Sequence, residues 1–461
     1  MPKSLPLRQL DGVIEHVAGH VHDYTESDAA FTRKRKLDAE TLIKLTLNMR
    51  GNSLNAELYD AFPDIQSRMT ASAYEQAKAK LSYRAFEDVF RAYNETMSAP
   101  KTLDRAKSYR VYAVDGCTFS VPYAKGSEFA IDKSQWKAAL KAKDAGVPLR
   151  NLAMMHANLV FDLMNRTYQD CIVQKMADAN ERDAAIDMVK GLDNSNPFIV
   201  IMDRGYAGFN MFETLNRIPN CNYIIRVKAG DIKEIRELPD AECDVDMAFR
   251  ITTSNHFYMQ VHKQDPYLHC VNTMGKSHTK NYSKNTVYTR WDFGQFCTIR
   301  CRVVKFRIND PASGKEQWEV LVTNLNRFEF PLDGMRDMYH MRWDIETSFR
   351  ELKYALGAIS FHSKKPDFIR MELFAHLTMF NAVSRHIAAL DVPQANHKYR
   401  YAIDFKMACM AVRRHYRLYP DDPDGDVFAD MLSYINPVRP GRADKRRLRY
   451  KPAVWFVYRV A

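Results

Sequence analysis

The sequence predicts a mixed α/β protein, with a central sheet of parallel and antiparallel strands carried between helical N- and C-terminal regions. Three observations lead there. "PFIVIMDRGY" (197–206) is an apolar run that ends in an acid, the pattern of a strand buried on both faces. From 108 to 228 the periodicity reads three strands, helix, strand, helix, strand, an order that builds a mixed sheet. From 230 to about 330, Thr, Val and Tyr dominate and alternate with polar residues, as in a β-rich insertion.

The elements follow in order. Residues 1–100 read as short helices joined by tight turns. "LDAETLIKLTLNM" (37–49) has helical periodicity and an acidic first turn, and Gly51 and Asn52 break it. "SLNAELYDAF" (53–62) is a second helix, "TASAYEQAKAKL" (70–81) a third with Thr70 or Ser72 as N-cap, and Arg84 to about Met97 a fourth. With Gln76, Lys78 and Lys80 exposed on the third, the group suits a helix-turn-helix-like DNA reader. A plain helical bundle fits equally. "YRVYAVDGCTFSVP" reads as a strand pair or one long bent strand, and "AMMHANLVFDLMN" (153–165) and "TYQDCIVQKM" (167–176) as strands. "ERDAAIDMVKGL" (181–192) and "GFNMFETLNRI" are helices, and "NYIIRVK" (222–228) is a strand. In the insertion "FYMQVHK", "VYTRWDF", "CTIRCRVVKFRI" and "EQWEVLVTNL" read as strands. The alternation slips at Val303-Val304, which suits a β-bulge. "MGKSHTKNYSKN" (274–285) is a polar, basic loop, and helices run on to about 417.

Composition narrows the function. Of 461 residues 46% are apolar, enough for a sizeable core, and the net charge is +11, which favours a polyanionic partner. The charge gathers at both ends, in "RKRK" (Arg33 to Lys36) and in "RPGRADKRRLRYK" from Arg439. Two basic runs on a basic protein point to phosphate contact. The eight cysteines include no CxxC pair and read as reduced, mostly buried thiols. No apolar run is long enough for a membrane span, and the first residues lack the apolar stretch of a signal peptide. A cytoplasmic protein is expected.

"YHMRWDIETSFRELK" (339–353) reads as one helix with two faces. Met338, Met341, Ile345, Phe349, Leu352 and Leu356 form a core-facing stripe. Tyr339, Arg342, Glu346 and Lys353 form a second stripe beside it. An ordinary solvated flank with an Arg342–Glu346 ion pair would look the same. Two more acids stand at strand ends: Asp115 closes the first strand of the α/β region, and Asp203 closes the buried one. Each has an ordinary reading, Asp115-Gly116 as a hairpin turn and Asp203 as a helix cap. Together with Glu346 they make a hard oxygen site suited to Mg²⁺ or Mn²⁺. Two such ions about 3.5–4 Å apart activate an attacking oxygen and stabilise the leaving one in phosphodiester displacement.

These residues resemble the Y-R-E-K signature of DDE transposases of the insertion-sequence-four type. Tyr339, Arg342, Glu346 and Lys353 match each position and gap of that signature, "VDGCTF" resembles its first-aspartate block, "IMDRGY" its second, and "LVTNL" (321–325) the strand before the signature helix. The resemblance implies an RNase H-like catalytic core interrupted by a β-rich insertion. In it Asp115, Asp203 and Glu346 would be catalytic, holding two Mg²⁺ ions for which Mn²⁺ can substitute. Tyr339, Arg342 and Lys353 would grip phosphates of the element's ends. Trp343 and Trp318 would be secondary DNA contacts, since a hairpin-forming enzyme needs an aromatic platform for a displaced base. An ordinary core tryptophan is the other reading of Trp318.

The expected organisation is then 1–100, a helical DNA-binding domain; 105–230, the first part of the core; 231–330, the insertion; 331–390, the core helix with the third acid; and 391–461, C-terminal helices and a basic tail. The expected activity is that of a bacterial, nucleoid-associated transposase. It would bind terminal inverted repeats, cut, and join the 3′-OH to target DNA, acting on double-stranded DNA as a homodimer in the synaptic complex. Two alternatives stay open: an RNase H-like nuclease without strand transfer, and a catalytically silent DNA-binding descendant.

Overall fold

The structure is a computed structural model that describes residues 3–32, 37–131, 152–271, 290–309, 316–394, 398–419 and 425–439. The basic run 33–36, the loop 274–285 and the tail beyond 439 lie outside these residues.

Five helices open the chain: α1 (Leu5–Gly19), α2 (Ala39–Asn48), α3 (Leu54–Ala61), α4 (Ala71–Lys78) and α5 (Arg84–Glu95). Side-chain caps start three of them: Asp38 accepts from the Thr41 N–H, Ser53 from Ala56 and Thr70 from Ala73, each satisfying an otherwise unpaired donor. Leu7, Leu10, Ile14 and Val17 of α1 repeat at helical spacing and are buried.

The strands are β1 (Leu103–Asp104), β2 (Ser108–Ser120), β3 (Ala130–Ile131), β4 (Leu152–Asp162), β5 (Thr167–Lys175), β6 (Phe198–Met202), β7 (Cys221–Val227), β8 (Cys243–Thr252), β9 (Leu268–Cys270), β10 (Phe296–Asn309) and β11 (Glu316–Thr323). Among them run α6 (Glu181–Lys190), α7 (Phe209–Arg217), the one-turn α8 (Lys233–Arg236) and α9 (Asn255–Val261). After the sheet come α10 (Leu332–His340), α11 (Trp343–Tyr354), α12 (Pro366–Ala388), α13 (Phe405–His415) and α14 (Val427–Leu432), with a small hairpin of β12 (Arg400–Ile403) and β13 (Ile435–Val438).

The core strands stand in the order β5-β4-β2-β6-β7. β2, β4 and β5 are antiparallel neighbours, and β6 and β7 run parallel to β2. This is the RNase H-like sheet that the resemblance implied. The insertion strands are no separate layer: β11 pairs with β7, then β10, β8 and β9 extend the same sheet.

Two cores cover the two faces. One holds Val111 and Ala113 of β2, Ile345 and Leu352 of α11, much of α12, and the N-terminal helices. The other holds Tyr112 and Val114 of β2 with α6 and α7. The expected stripe of the signature is buried or packed on the first core throughout. The N-terminal helices therefore share a core with α12, where each buried Leu or Phe stabilises by roughly 1.5–3 kcal/mol. Among the described residues no helix is long and apolar enough to cross a membrane. All eight cysteines are free thiols.

Several expectations are corrected. The signature is two helices, divided at Met341–Arg342. There Arg342, Asp344 and Ile345 donate to carbonyls three residues back, a tightened 3₁₀ turn that no Pro or Gly announces. "FYMQVHK" lies mostly in α9, because the Ser254 hydroxyl caps the Phe257 N–H and starts a helix. Residues 290–293 of "VYTRWDF" are not a strand, and the rest lies outside the described residues. No bulge interrupts β10 at Val303-Val304, which pairs in unbroken register on both sides; both faces there are buried, so adjacent apolar residues need no shift. Lys78 is buried against Glu372 of α12, while Gln76 and Lys80 are exposed.

Candidate active site at the end of strand β6

Asp115 does not end its strand, as the sequence suggested. β2 runs on to Ser120, which removes the hairpin-turn reading. Asp115 instead sits where its parallel neighbour stops: Val114 is paired with Met202, the last residue of β6, and Asp203 follows at once. Asp115, inside β2, and Asp203, just past the end of β6, thus stand side by side on adjacent parallel strands, whose spacing is roughly 4.8 Å. By alternation Asp115 follows Ala113 on the face covered by α11, and Gly116 follows Val114 on the face of α6. Asp203 does not cap α7, whose N-cap is Gly208. Its Oδ1 accepts from the Gly205 N–H at 2.7 Å, and Asp115 Oδ1 accepts from Gly116 at 2.8 Å.

The third acid arrives through Arg342. Its guanidinium donates to Glu346 Oε1 at 2.8 Å and lies 3.5 Å from Asp115 Oδ2. One buried cation therefore ties the signature helix to the first strand. Burial pushes the Asp115 carboxyl up to about 7; Arg342 and the Gly116 N–H pull it down, and the charges of Asp203 and Glu346 add to the rise. Burial works against the charge of Arg342, yet Tyr339, Glu346 and Asp115 together hold its pKa above the ordinary value.

The remaining predicted residues divide. Tyr339 is buried beside Arg342 with its hydroxyl unpartnered, and burial pushes its phenol up to about 12. Lys353 donates to the Thr118 carbonyl at 2.8 Å and lies over Phe119, three residues along β2 from Asp115. Trp343 is 41% exposed with the Arg342 guanidinium over its ring. Trp318 is elsewhere: it shares its sheet face with Val320, away from α11. Its indole N–H donates to Asp240, and Lys305 and Arg307 lie over its ring.

The sequence reading missed other residues here. Arg226 of β7 and the buried Glu319 of β11 face the signature side and approach to 3.8 Å, and both act on Tyr339. On the other side of Gly116 stand His156 of β4 and Glu181 of α6. Tyr206, three residues after Asp203, is buried with an unpartnered hydroxyl. "IMDRGY" contains Tyr206, but nothing local in the sequence joins His156 to Glu181.

The donors suit a hard divalent cation, and Asp115, raised by burial and by like charges, has reason to accept one. Among the described residues no three acidic, histidine or cysteine side chains converge as a ready-made metal site. Between Asp115 and Glu346 the Arg342 guanidinium now supplies the positive charge.

An acidic centre where β6 ends on an RNase H-like sheet, with the buried Arg342 between two of its acids, suits phosphodiester chemistry. The chain belongs to the transposase DDE domain family, which its residues 106–382 match. It is also similar to the transposase InsG for insertion sequence element IS4 of Escherichia coli (strain K12), with 29% identity over 100 residues. That match covers 21% of this chain and 22% of that protein. A cryo-EM structure of the piggyBac transposase synaptic complex with hairpin DNA aligns over 89% of this chain and 80% of that one. Its TM-score is 0.46 and its sequence identity 9%.

Proposed function

We propose that this chain is a DNA transposase that binds the terminal inverted repeats of an insertion sequence, cuts at the element's ends and joins the freed 3′-OH to target DNA. The observation that carries this reading is that Asp115 of β2 stands beside Asp203, where the neighbouring strand β6 ends, with Arg342 linking Asp115 to Glu346. Membership of the transposase DDE domain family supports it.

Asp115, Asp203 and Glu346 would hold the divalent cation, Mg²⁺ as two ions with Mn²⁺ able to substitute. When bound it supplies Lewis-acid activation of the attacking oxygen and stabilises the leaving one. The chain's own residues do the rest. Arg342, buried between Asp115 and Glu346, has guanidinium donors beyond those it gives these acids and would turn them to a DNA phosphate. Tyr339 offers its unpartnered hydroxyl to the same strand. Lys353 keeps one donor on the Thr118 carbonyl and has two more for phosphate. Trp343, exposed beside Arg342, is the nearer aromatic platform; Trp318 would touch DNA only where the duplex wraps to the opposite face. Bringing two ends together calls for two copies, so a homodimer forms the synaptic complex on the nucleoid.

The test is cleavage of DNA bearing the element's own ends, by the intact chain and by Asp115→Ala, Asp203→Ala and Glu346→Ala. Mg²⁺-dependent nicking at the terminus and joining to a second duplex, both lost in each variant while end binding persists, is the expected result. Cleavage without joining would replace transposition by plain nuclease action. Normal cleavage by any variant would remove that residue from the site.

A further inference from the structure

A fourth carboxylate stands against this centre, on the face of Gly116. Glu181 is the first residue of α6, and its Oε1 lies 3.1 Å from His156 Nε2. The His156 ring is buried on β4 and held at its other nitrogen by the Thr118 hydroxyl at 3.2 Å. Both side chains crowd the backbone next to Asp115. A Cβ built on Gly116 would meet Glu181 Oε1 at 2.5 Å and His156 Nε2 at 2.7 Å. Glycine at 116 therefore leaves the space that the pair occupies, although no positive φ requires it.

The same end of α6 is tied to the second aspartate. Arg182 Nε donates to the Gly205 carbonyl at 2.8 Å, and Gly205 is the residue whose N–H holds Asp203. Between these elements Tyr206 is 1% exposed, its hydroxyl has no hydrogen-bond partner, and the charges that raise its pKa beyond its burial are those of Asp115, Glu181 and Asp203. A buried phenol among three carboxylates, with nothing to donate to or accept from, marks a place where a bound water or ion completes the arrangement.

A glutamate at a helix start is often only a partner for the helix dipole. That role needs neither a buried imidazole, whose Nε2 has no hydrogen-bond partner, set 3.1 Å from it nor a glycine to admit it. The side chain of Glu181 also remains 44% exposed, so its carboxylate beside Gly116 stays accessible from solvent. We propose that Glu181, paired with the buried His156, is a fourth carboxylate of the divalent-cation site, adding its charge and an oxygen to those of Asp115 and Asp203. The inference rests on the transposase reading for the identity of the site, and on the His156–Glu181–Gly116 contacts for the new residue.

The test measures Mn²⁺ affinity of the DNA-free full-length chain by calorimetry, for the unaltered protein and for Glu181→Gln, Glu181→Asp, His156→Gln and Asp115→Asn. Circular dichroism checks that each is folded. Groups that orient or support metal ligands commonly contribute about 10–100-fold in affinity. Glu181→Gln should therefore bind Mn²⁺ about tenfold or more weakly. Glu181→Asp should stay close to the unaltered chain, because it keeps the charge, and His156→Gln should fall between them. A dipole-only role would leave all three unchanged. If Asp115→Asn loses Mn²⁺ while Glu181→Gln and His156→Gln bind normally, Glu181 is no part of the site and the three-acid reading stands. If the unaltered chain binds no Mn²⁺, or Asp115→Asn binds it equally well, the metal-site reading fails and this inference with it. Should Glu181→Gln not fold, normal binding by His156→Gln still overturns the proposal.

Discussion

Replacing Asp115 by Asn should stabilise the cation-free protein at neutral and alkaline pH. In the folded chain the Asp115 carboxyl is pushed up to about 7 from its ordinary 3.8, first by burial and then by Asp203 and Glu346. The folded state thus holds its proton more tightly than the unfolded state does. Linkage then gives stability that is fully present below about pH 4 and is lost as pH rises through about 7. Each pKa unit corresponds to about 1.36 kcal/mol, so three units amount to roughly 4 kcal/mol. The side chain is 21% exposed, and screening brings the expected figure to about 2–4 kcal/mol. Asparagine mimics the protonated acid and escapes this cost. The assay is urea unfolding in EDTA at pH 4.5 and pH 8. Asp115→Asn should be the more stable chain at pH 8, and the advantage should shrink to near zero at pH 4.5. Adding Mn²⁺ at pH 8 should stabilise the unaltered chain and close the gap. A variant equally or less stable at pH 8, or an advantage that does not change with pH, would refute the reasoning.

Two further outcomes follow from named contacts. Arg342→Gln removes the cation between Asp115 and Glu346. It should raise Mn²⁺ affinity on the order of tenfold, or 1.4 kcal/mol, while weakening end binding and flattening its salt dependence; titration and binding at two salt concentrations read both, and unchanged affinities would place Arg342 outside the site. Lys78→Met breaks a pair that is 1% exposed on both sides and leaves Glu372 to His362 alone. It should cost about 3–5 kcal/mol in urea unfolding, and a loss under 1 kcal/mol would mean that α4 is not locked to α12 through this contact.

Much of the arrangement is legible in the sequence because it is written in local periodicity. The stripe from Met338 to Leu356 reads correctly as core, since which side of a helix is apolar depends only on spacing. "PFIVIM" is buried on both faces, as a run without alternation must be. Asp203 directly follows that run, so its strand-end position needs no tertiary information. The spacing of Tyr339, Arg342 and Glu346 likewise puts them near one another even though a 3₁₀ turn divides their helix.

What only the tertiary structure decides concerns polar groups, whose environment is set by elements distant in the chain. Lys78 reads as an exposed DNA-facing lysine until α12 brings Glu372 to it, and a buried charge is tolerable only with such a partner. "FYMQVHK" fits both strand and helix, and a single hydrogen bond from the Phe257 N–H to Ser254 resolves it. Trp318 lies close to the signature in sequence, yet strand alternation turns it to the other face. His156, Glu181 and Gly116 come from two strands and a helix and meet only once the sheet is assembled. The sequence by itself determines which segments have a core face and which acids end or interrupt them. The fold determines which charges face one another, because burial and partnership belong to the space between elements and leave no period in the chain.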